Sequence, residues 1–290
     1  MHQYKENVIT YVMACIDGSP SATAVCDYAA WASLRLDCPL AFLHVLDENR
    51  YPTNSNLSGN IGLGSREHLL EELAELDARR SKLALEEGRI MLEAAKQRAQ
   101  QDGISSPLVK QRHGDLAETL VELQEEIRLA IIGKQGDNTS AGAQVGSHLE
   151  SVLRTLSRPV LVTPTAFKQP ESVMLAYDGR PTMDKAVQLI AGSPLFKGLP
   201  IHLVLVGADT NYAWEQLKSA KEKLKAAGFD AQIAIRAGEV EPTLHAYQNE
   251  HAIDMIVMGA YSRSRIREFL VGSTTTKMLS TSRTPLLLLH

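Results

Sequence analysis

The chain repeats itself, and the repeat constrains its architecture more than any other feature. Five anchors recur in one order. VMACIDG (12–18) returns as VMLAYDG (173–179), and AFLHVLD (41–47) as IHLVLVG (201–207). LVKQRHGD (108–115) returns as QIAIRAGE (232–239). LAIIGKQGDNTSAGAQVGSH (129–148) returns as DMIVMGAYSRSRIREFLVGST (254–274), and RPVLVTP (158–164) as RTPLLLLH (283–290). Ordered self-similarity on this scale means one structural unit used twice. Each anchor is a short apolar run, and amphipathic stretches alternate with them, so each unit reads as a five-stranded α/β domain with a parallel, doubly wound sheet. The run LAFLHVL does not alternate cleanly, as expected of a strand covered by helices on both faces.

The offset between copies is 161 at Asp17/Asp178 and 126 at Gly133/Gly259, so the first copy carries 35 additional residues. They fall mostly within an insert at about 47–82. Residues 47–64, rich in Asn, Ser, Pro and Gly, read as an exposed loop. Residues 65–101 have helical spacing and read as one long helix or two joined ones, closed by Gly103 as C-terminal cap. Helices are also expected at about 21–36 and 116–126, the latter with Asp115 as N-cap. The first domain should run 1–166 and the second 172–290, with 167–171 as linker.

The chemistry points to Gly133–Ser147, GKQGDNTSAGAQVGS. A strand-like run precedes it and a helix-like run follows. Glycines between a buried strand and a helix start let backbone come close to a phosphate, toward which the first helical N–H groups point. The second copy carries Gly259, Ser262, Gly272 and Ser273 at the matching places. Serine at 262 is strained by roughly 1–2 kcal/mol if that position needs a positive φ. The loops also differ in charge. The first contains Asp137, which repels a polyphosphate, whereas the second contains Arg263, Arg265 and Arg267, available to phosphates or to solvent.

These motifs resemble those of the universal stress protein family in its tandem two-domain form. Nucleotide-binding members carry G-x2-G-x9-G-S/T after the fourth strand, and Gly133, Gly136, Gly146 and Ser147 match it without departure. The resemblance implies two tandem doubly wound domains, each a five-stranded parallel sheet in the order 3-2-1-4-5 with helices on both faces. It further implies ATP, with Mg²⁺ as companion ion, bound rather than consumed by a stress-response regulator or sensor. In the first domain Asp17 would accept hydrogen bonds from the adenosine moiety, Val45 would pack on the base, Gly133 and Gly136 would pass close to ribose and phosphate, and Gly146 and Ser147 would meet the phosphates. The corresponding residues of the second are Asp178, Val206, Gly259, Ser262, Gly272, Ser273 and Thr274. In the family the fifth strands pair between domains, which implies an internal pseudo-dimer here and leaves room for a further homodimer.

Each residue also has a plainer reading. Asp17 and Asp178 could cap the helices that follow them, and Ser147 and Ser273 could be ordinary N-caps. Val45 and Val206 could be core residues, and Gly133 and Gly259 could serve the turn alone. Arg180, where the first copy has Ser19, either reaches into the second crevice or blocks it. No GxxxxGK[ST] loop, nucleophile elbow or HExxH occurs, so catalysis is not the expected role beyond slow ATP hydrolysis. Two other readings stay open: a nucleotide-free interaction module or small-hydrophobe binder, and a weak ATPase. A net charge of −4 argues against nucleic acid and against a polybasic membrane contact. No apolar run reaches the ~20 residues of a membrane span. Cys15, Cys26 and Cys38 form no metal spacing and leave an odd thiol, so a reduced cytoplasm is the expected compartment.

Overall fold

The computed structural model describes residues 9–46, 63–136, 147–259 and 273–289. In the first half the elements are β1 (Tyr11–Cys15), α1 (Ala22–Leu36), β2 (Leu40–Leu46), α2 (Leu63–Gln101), β3 (Leu108–His113), α3 (Leu116–Glu122), β4 (Ile127–Gly133), α4 (Ser147–Thr155) and β5 (Val160–Thr163). The second half repeats them as β6 (Val173–Tyr177), α5 (Pro181–Gly192), β7 (Ile201–Val206), α6 (Asn211–Ala226), β8 (Ala231–Arg236), α7 (Val240–Glu250), β9 (Met255–Gly259), α8 (Ser273–Thr281) and β10 (Leu286–Leu289).

All ten strands form one sheet, ordered β3-β2-β1-β4-β5-β10-β9-β6-β7-β8. Each half therefore has the expected 3-2-1-4-5 order. Pairing within each half is parallel, as in Met13 with Ala41 and Met174 with His202. The halves meet where β5 and β10 run antiparallel, Leu161 opposite Leu287. Those two short strands would otherwise be open edges, and joining them removes two exposed rows of backbone donors and acceptors.

Helices cover both faces. One apolar layer packs Tyr28 of α1, Leu92 of α2, Val187 and Ile190 of α5, Phe196 of the 3₁₀ turn 194–196 and Leu217 and Leu224 of α6 against strand residues such as Phe42. The other packs Leu120, Leu149, Leu153, Leu244 and Met278 from α3, α4, α7 and α8 against alternate strand residues such as Met13 and Ile256. Complete burial of each such Leu or Phe contributes about 1.5–3 kcal/mol. α1 is rich in alanine, and Ala24, Ala29, Ala30 and Ala32 are almost wholly buried, which lets the helix lie close to the sheet.

The first half's extra length is largely helix. α2 spans 39 residues against 16 in α6. It is one continuous helix and begins at Leu63, so 63–64 belong to it rather than to the loop expected at 47–64; the rest of that loop lies outside the described residues. One Gly in a first turn does not stop a helix whose following residues are strong formers. Gly103 closes α2 with φ +96°, and Ile104 N donates to Ala99 O at 2.9 Å, as expected of a C-terminal cap. Asp115 caps α3, accepting from Glu118 N at 3.0 Å. That helix ends at Glu122, and a short 3₁₀ turn covers 124–126.

The segment between the halves is held at both ends. The Tyr28 hydroxyl donates to Lys168 O at 3.2 Å, and the Tyr28 ring meets Phe167 edge-on. Asp254, 7% exposed, accepts from Lys168 Nζ at 2.5 Å and from Glu171 N at 3.0 Å. Arg35 of α1 reaches the second half as well, where Nε donates to Leu195 O at 3.1 Å. Among the described residues no helix is long and apolar enough to cross a membrane.

Candidate functional site

β1 and β4 lie side by side and parallel, while their neighbours β2 and β5 lie on opposite sides. Strand order reverses there, so the carboxyl ends of β1 and β4 flank a crevice of the kind in which open α/β sheets bind ligands. Asp17 follows β1, and Gly133 ends β4.

Two close approaches define this first crevice. A Cβ on Gly133 would lie 2.7 Å from Ser21 Cβ, so only glycine fits between the end of β4 and the start of α1. A Cβ on Gly136 would lie 3.0 Å from Asp17 Oδ2, which places the carboxylate against the glycine backbone. The turn between the glycines is anchored by Lys134 N, which donates to Thr163 O at 2.9 Å. Asp17 does not cap α1: its Oδ1 accepts from Ser19 N at 3.1 Å, an Asx turn two residues long, and the N-cap is Ser21 with no side-chain capping bond.

Spacing alone did not single out Ser19 and Ser21. Both are buried, at 6% and 0% exposure, and the hydroxyl of each lacks a hydrogen-bond partner among the described residues. Thr163 Oγ1 shares that condition at the end of β5. Buried hydroxyls ordinarily find a partner in protein or ordered water. Ser21 lies against Gly133 and Thr163 pairs with it, so two of these enclosed hydroxyls border the glycine turn. The DGSPS string after β1 carried the signal, but hydroxyl burial depends on the whole fold.

Val45 is half-buried and packs on the layer that holds α3 and α4. Its neighbour His44 is 6% exposed, and its ring Nδ1 lies 2.8 Å from Ile16 O, directly before Asp17. Ser147 is the first residue of α4. Its side chain, and Gly146 entirely, lie outside the described residues, as do Asp137, Ser262, Arg263, Arg265, Arg267 and Gly272.

The second crevice is furnished differently. Asp178 Oδ1 accepts from Arg180 N at 3.0 Å, and Oδ2 lies 3.4 Å from Arg180 Nε. Arg180 thus turns onto the carboxylate that corresponds to Asp17. Gly179 has φ +71°, and its carbonyl accepts from Gln216 Nε2 of α6 at 2.9 Å. Among the described residues, a Cβ on Gly259 would meet the far end of the Met183 side chain, at 3.2 Å. Val206 is half-buried on the same layer as Val45; Ser273 and Thr274 open α8, the first exposed and the second half-buried.

The three thiols are buried. Burial, with a nearby carboxylate, pushes Cys15 and Cys26 up to about 12. Such groups are not nucleophiles at neutral pH.

Comparison with known proteins identifies the family to which this fold belongs. The sequence profile of the Universal stress protein family matches residues 10–164 and 206–290. Universal stress protein Slr1230 of Synechocystis is 36% identical over 281 residues, covering 95% of this chain and 98% of that one. The crystal structure of a universal stress protein from Archaeoglobus fulgidus superposes with a TM-score of 0.70 at 19% identity, over 96% of this chain and 97% of that chain. A putative universal stress protein from Pseudomonas aeruginosa follows at 0.61 and 17%, covering 97% of this chain and 93% of that one. With its duplicated sheet, its paired crevices and a relative matched along nearly its whole length, the chain belongs to the universal stress protein family, whose role is in stress response.

Proposed function

We propose that the chain is a stress-response regulator that binds adenine nucleotide, ATP with Mg²⁺, in its first crevice. The observation that carries this reading is the seating of Gly136 against Asp17 and of Gly133 against Ser21. It leaves the carboxylate of Asp17 at a backbone turn that a ribose and phosphates can approach closely. The hydroxyl of Ser21, without a partner among the described residues, adds a polar group beside that turn. Gly146 and Ser147 would receive the phosphates at the start of α4. Mg²⁺ would ride on the phosphates; no acidic cluster is assigned to it. The units that carry the two crevices run 1–166 and 172–290 in this reading, in a reduced, cytoplasmic setting.

The Asp178–Arg180 pair supports a second reading for the other half: a crevice free of nucleotide, serving partner contact. Acid extraction of the purified protein, followed by nucleotide chromatography, tests the first reading. ATP, ADP or AMP should appear at about one per chain, and Asp17→Ala should abolish it while Asp178→Ala leaves it. Absence of nucleotide, together with no thermal shift on adding ATP-Mg²⁺, sinks the proposal. ATP turnover that survives Asp17→Ala would likewise argue against a weak ATPase at this crevice.

A further inference from the structure

Lys134 sits between the two glycines of the first crevice, yet its side chain leaves that crevice and crosses to the other half. Its Nζ lies 2.6 Å from Ser280 O and 2.9 Å from Ser282 O. Ser280 is in the last turn of α8 and Ser282 lies just past its end, where backbone acceptors lack intrahelical donors and the helix dipole is negative. An ammonium placed there completes the C-terminus. The topology brings the two together: Lys134 N is bonded to the last residue of β5, β5 pairs with β10, and α8 leads into β10. Lys134 is half-buried, and burial together with the neighbouring Arg283 pushes its pKa down.

The tie runs one way. The corresponding residue of the second copy is Ala260, which carries no cation to send back. α8 has nine residues, about 13 Å of helix. At its far end stand Ser273 and Thr274, the opening of the second crevice.

We propose that Lys134 is a positioning residue that fastens the glycine turn of the first crevice to α8 of the second half, so that a ligand in the first crevice stiffens α8. The second clause rests on the nucleotide reading above; the first does not. Hydrogen exchange followed by mass spectrometry on the full chain tests both. Without ligand, Lys134→Met should speed exchange about tenfold at 277–286 and at 130–136, as loss of a charged hydrogen bond predicts. Lys134→Arg, which keeps donors for both carbonyls, should stay near wild type. Equal exchange in wild type and Lys134→Met overturns the proposal whatever the protein binds. In an Asp178→Ala background, ATP-Mg²⁺ should slow exchange at 130–136 and at 277–286, and Lys134→Met should confine that protection to 130–136. Protection reaching 277–286 unchanged in Lys134→Met refutes the coupling. No protection at 130–136 with Lys134 intact refutes the nucleotide reading instead, and with it the coupling, while the ligand-free comparison still decides the tie.

Discussion

Replacing Gly133 by alanine tests the steric account of the first crevice. The new methyl would lie 2.7 Å from Ser21 Cβ, a distance at which one of the two must move. Neither can do so cheaply. Ser21 is fully buried at the start of α1, and Gly133 is paired with Thr163 in the centre of the sheet. Overpacking of this kind costs about 1–3 kcal/mol. Alanine restricts the unfolded chain and returns about 0.4–1 kcal/mol. The net expectation is a loss of about 1–2 kcal/mol, a Tm lowered by about 2–8 °C for a chain of this size. Gly259→Ala is the control, because among the described residues its methyl meets the end of Met183, 3.2 Å away. A methionine terminus adjusts, and the change should stay within about 0.5 kcal/mol of neutral. Urea unfolding of both variants measures the contrast. Adding Ser21→Gly to Gly133→Ala removes the obstructing atom and should restore about 1 kcal/mol as a coupling energy. If Gly133→Ala is no costlier than Gly259→Ala, or if Ser21→Gly brings no relief, the contact does not govern the crevice.

Two further outcomes follow from side-chain geometry. Gly88 lies inside α2, where alanine normally stabilises by about 0.5–1 kcal/mol; here a methyl would come within 2.4 Å of Gln111 Nε2 and 2.5 Å of His44 Cδ2, so Gly88→Ala should destabilise by about 1–3 kcal/mol in chemical unfolding. His202 is 7% exposed, and burial and the nearby His251 push its pKa below its ordinary value of about 6.5. The unfolded chain then binds the proton more tightly, so this contribution is complete above about pH 6.5 and is lost as pH falls below it. His202→Leu should flatten the fall in urea midpoint between pH 7 and 5, despite the lost contact with the Tyr247 hydroxyl at 2.9 Å and with Arg236 and Glu250 still beside that ring. An unchanged slope would remove His202 from the account.

Much of the architecture was legible because it rests on local and periodic signals. Apolar runs such as LAFLHVL and IHLVLVG marked buried parallel strands, and five anchors in order announced two copies. The DG after each first strand located both aspartates. What stayed hidden depends on partners far along the chain. Lys134 meets Ser280 across 146 positions, and Tyr28 meets Lys168 across 140. No spacing rule reports such pairs. The beginning of α2 departs from the sequence reading for another reason: Gly64 carries turn character that its helical neighbours override. Arg180 was visible beside Asp178, but whether it pointed at a ligand or at the carboxylate was a matter of rotamer. The enclosure of the Ser21 hydroxyl became apparent only with Gly133 of β4 packed against it.

The antiparallel join of β5 to β10 has a consequence for how such a molecule can change. Had two identical chains met along these strands, every substitution would appear on both sides of the twofold axis at once. A lysine at 134 would face its own twin's helix, and both crevices would carry the same arginine or the same serine. Written as one continuous polypeptide, the two sides are independent letters. Lys134 can stand opposite Ala260, and Ser19 opposite Arg180. The assembly keeps the geometry of a dimer, needs no second molecule to meet it at a given concentration, and is free to give its two pockets different work.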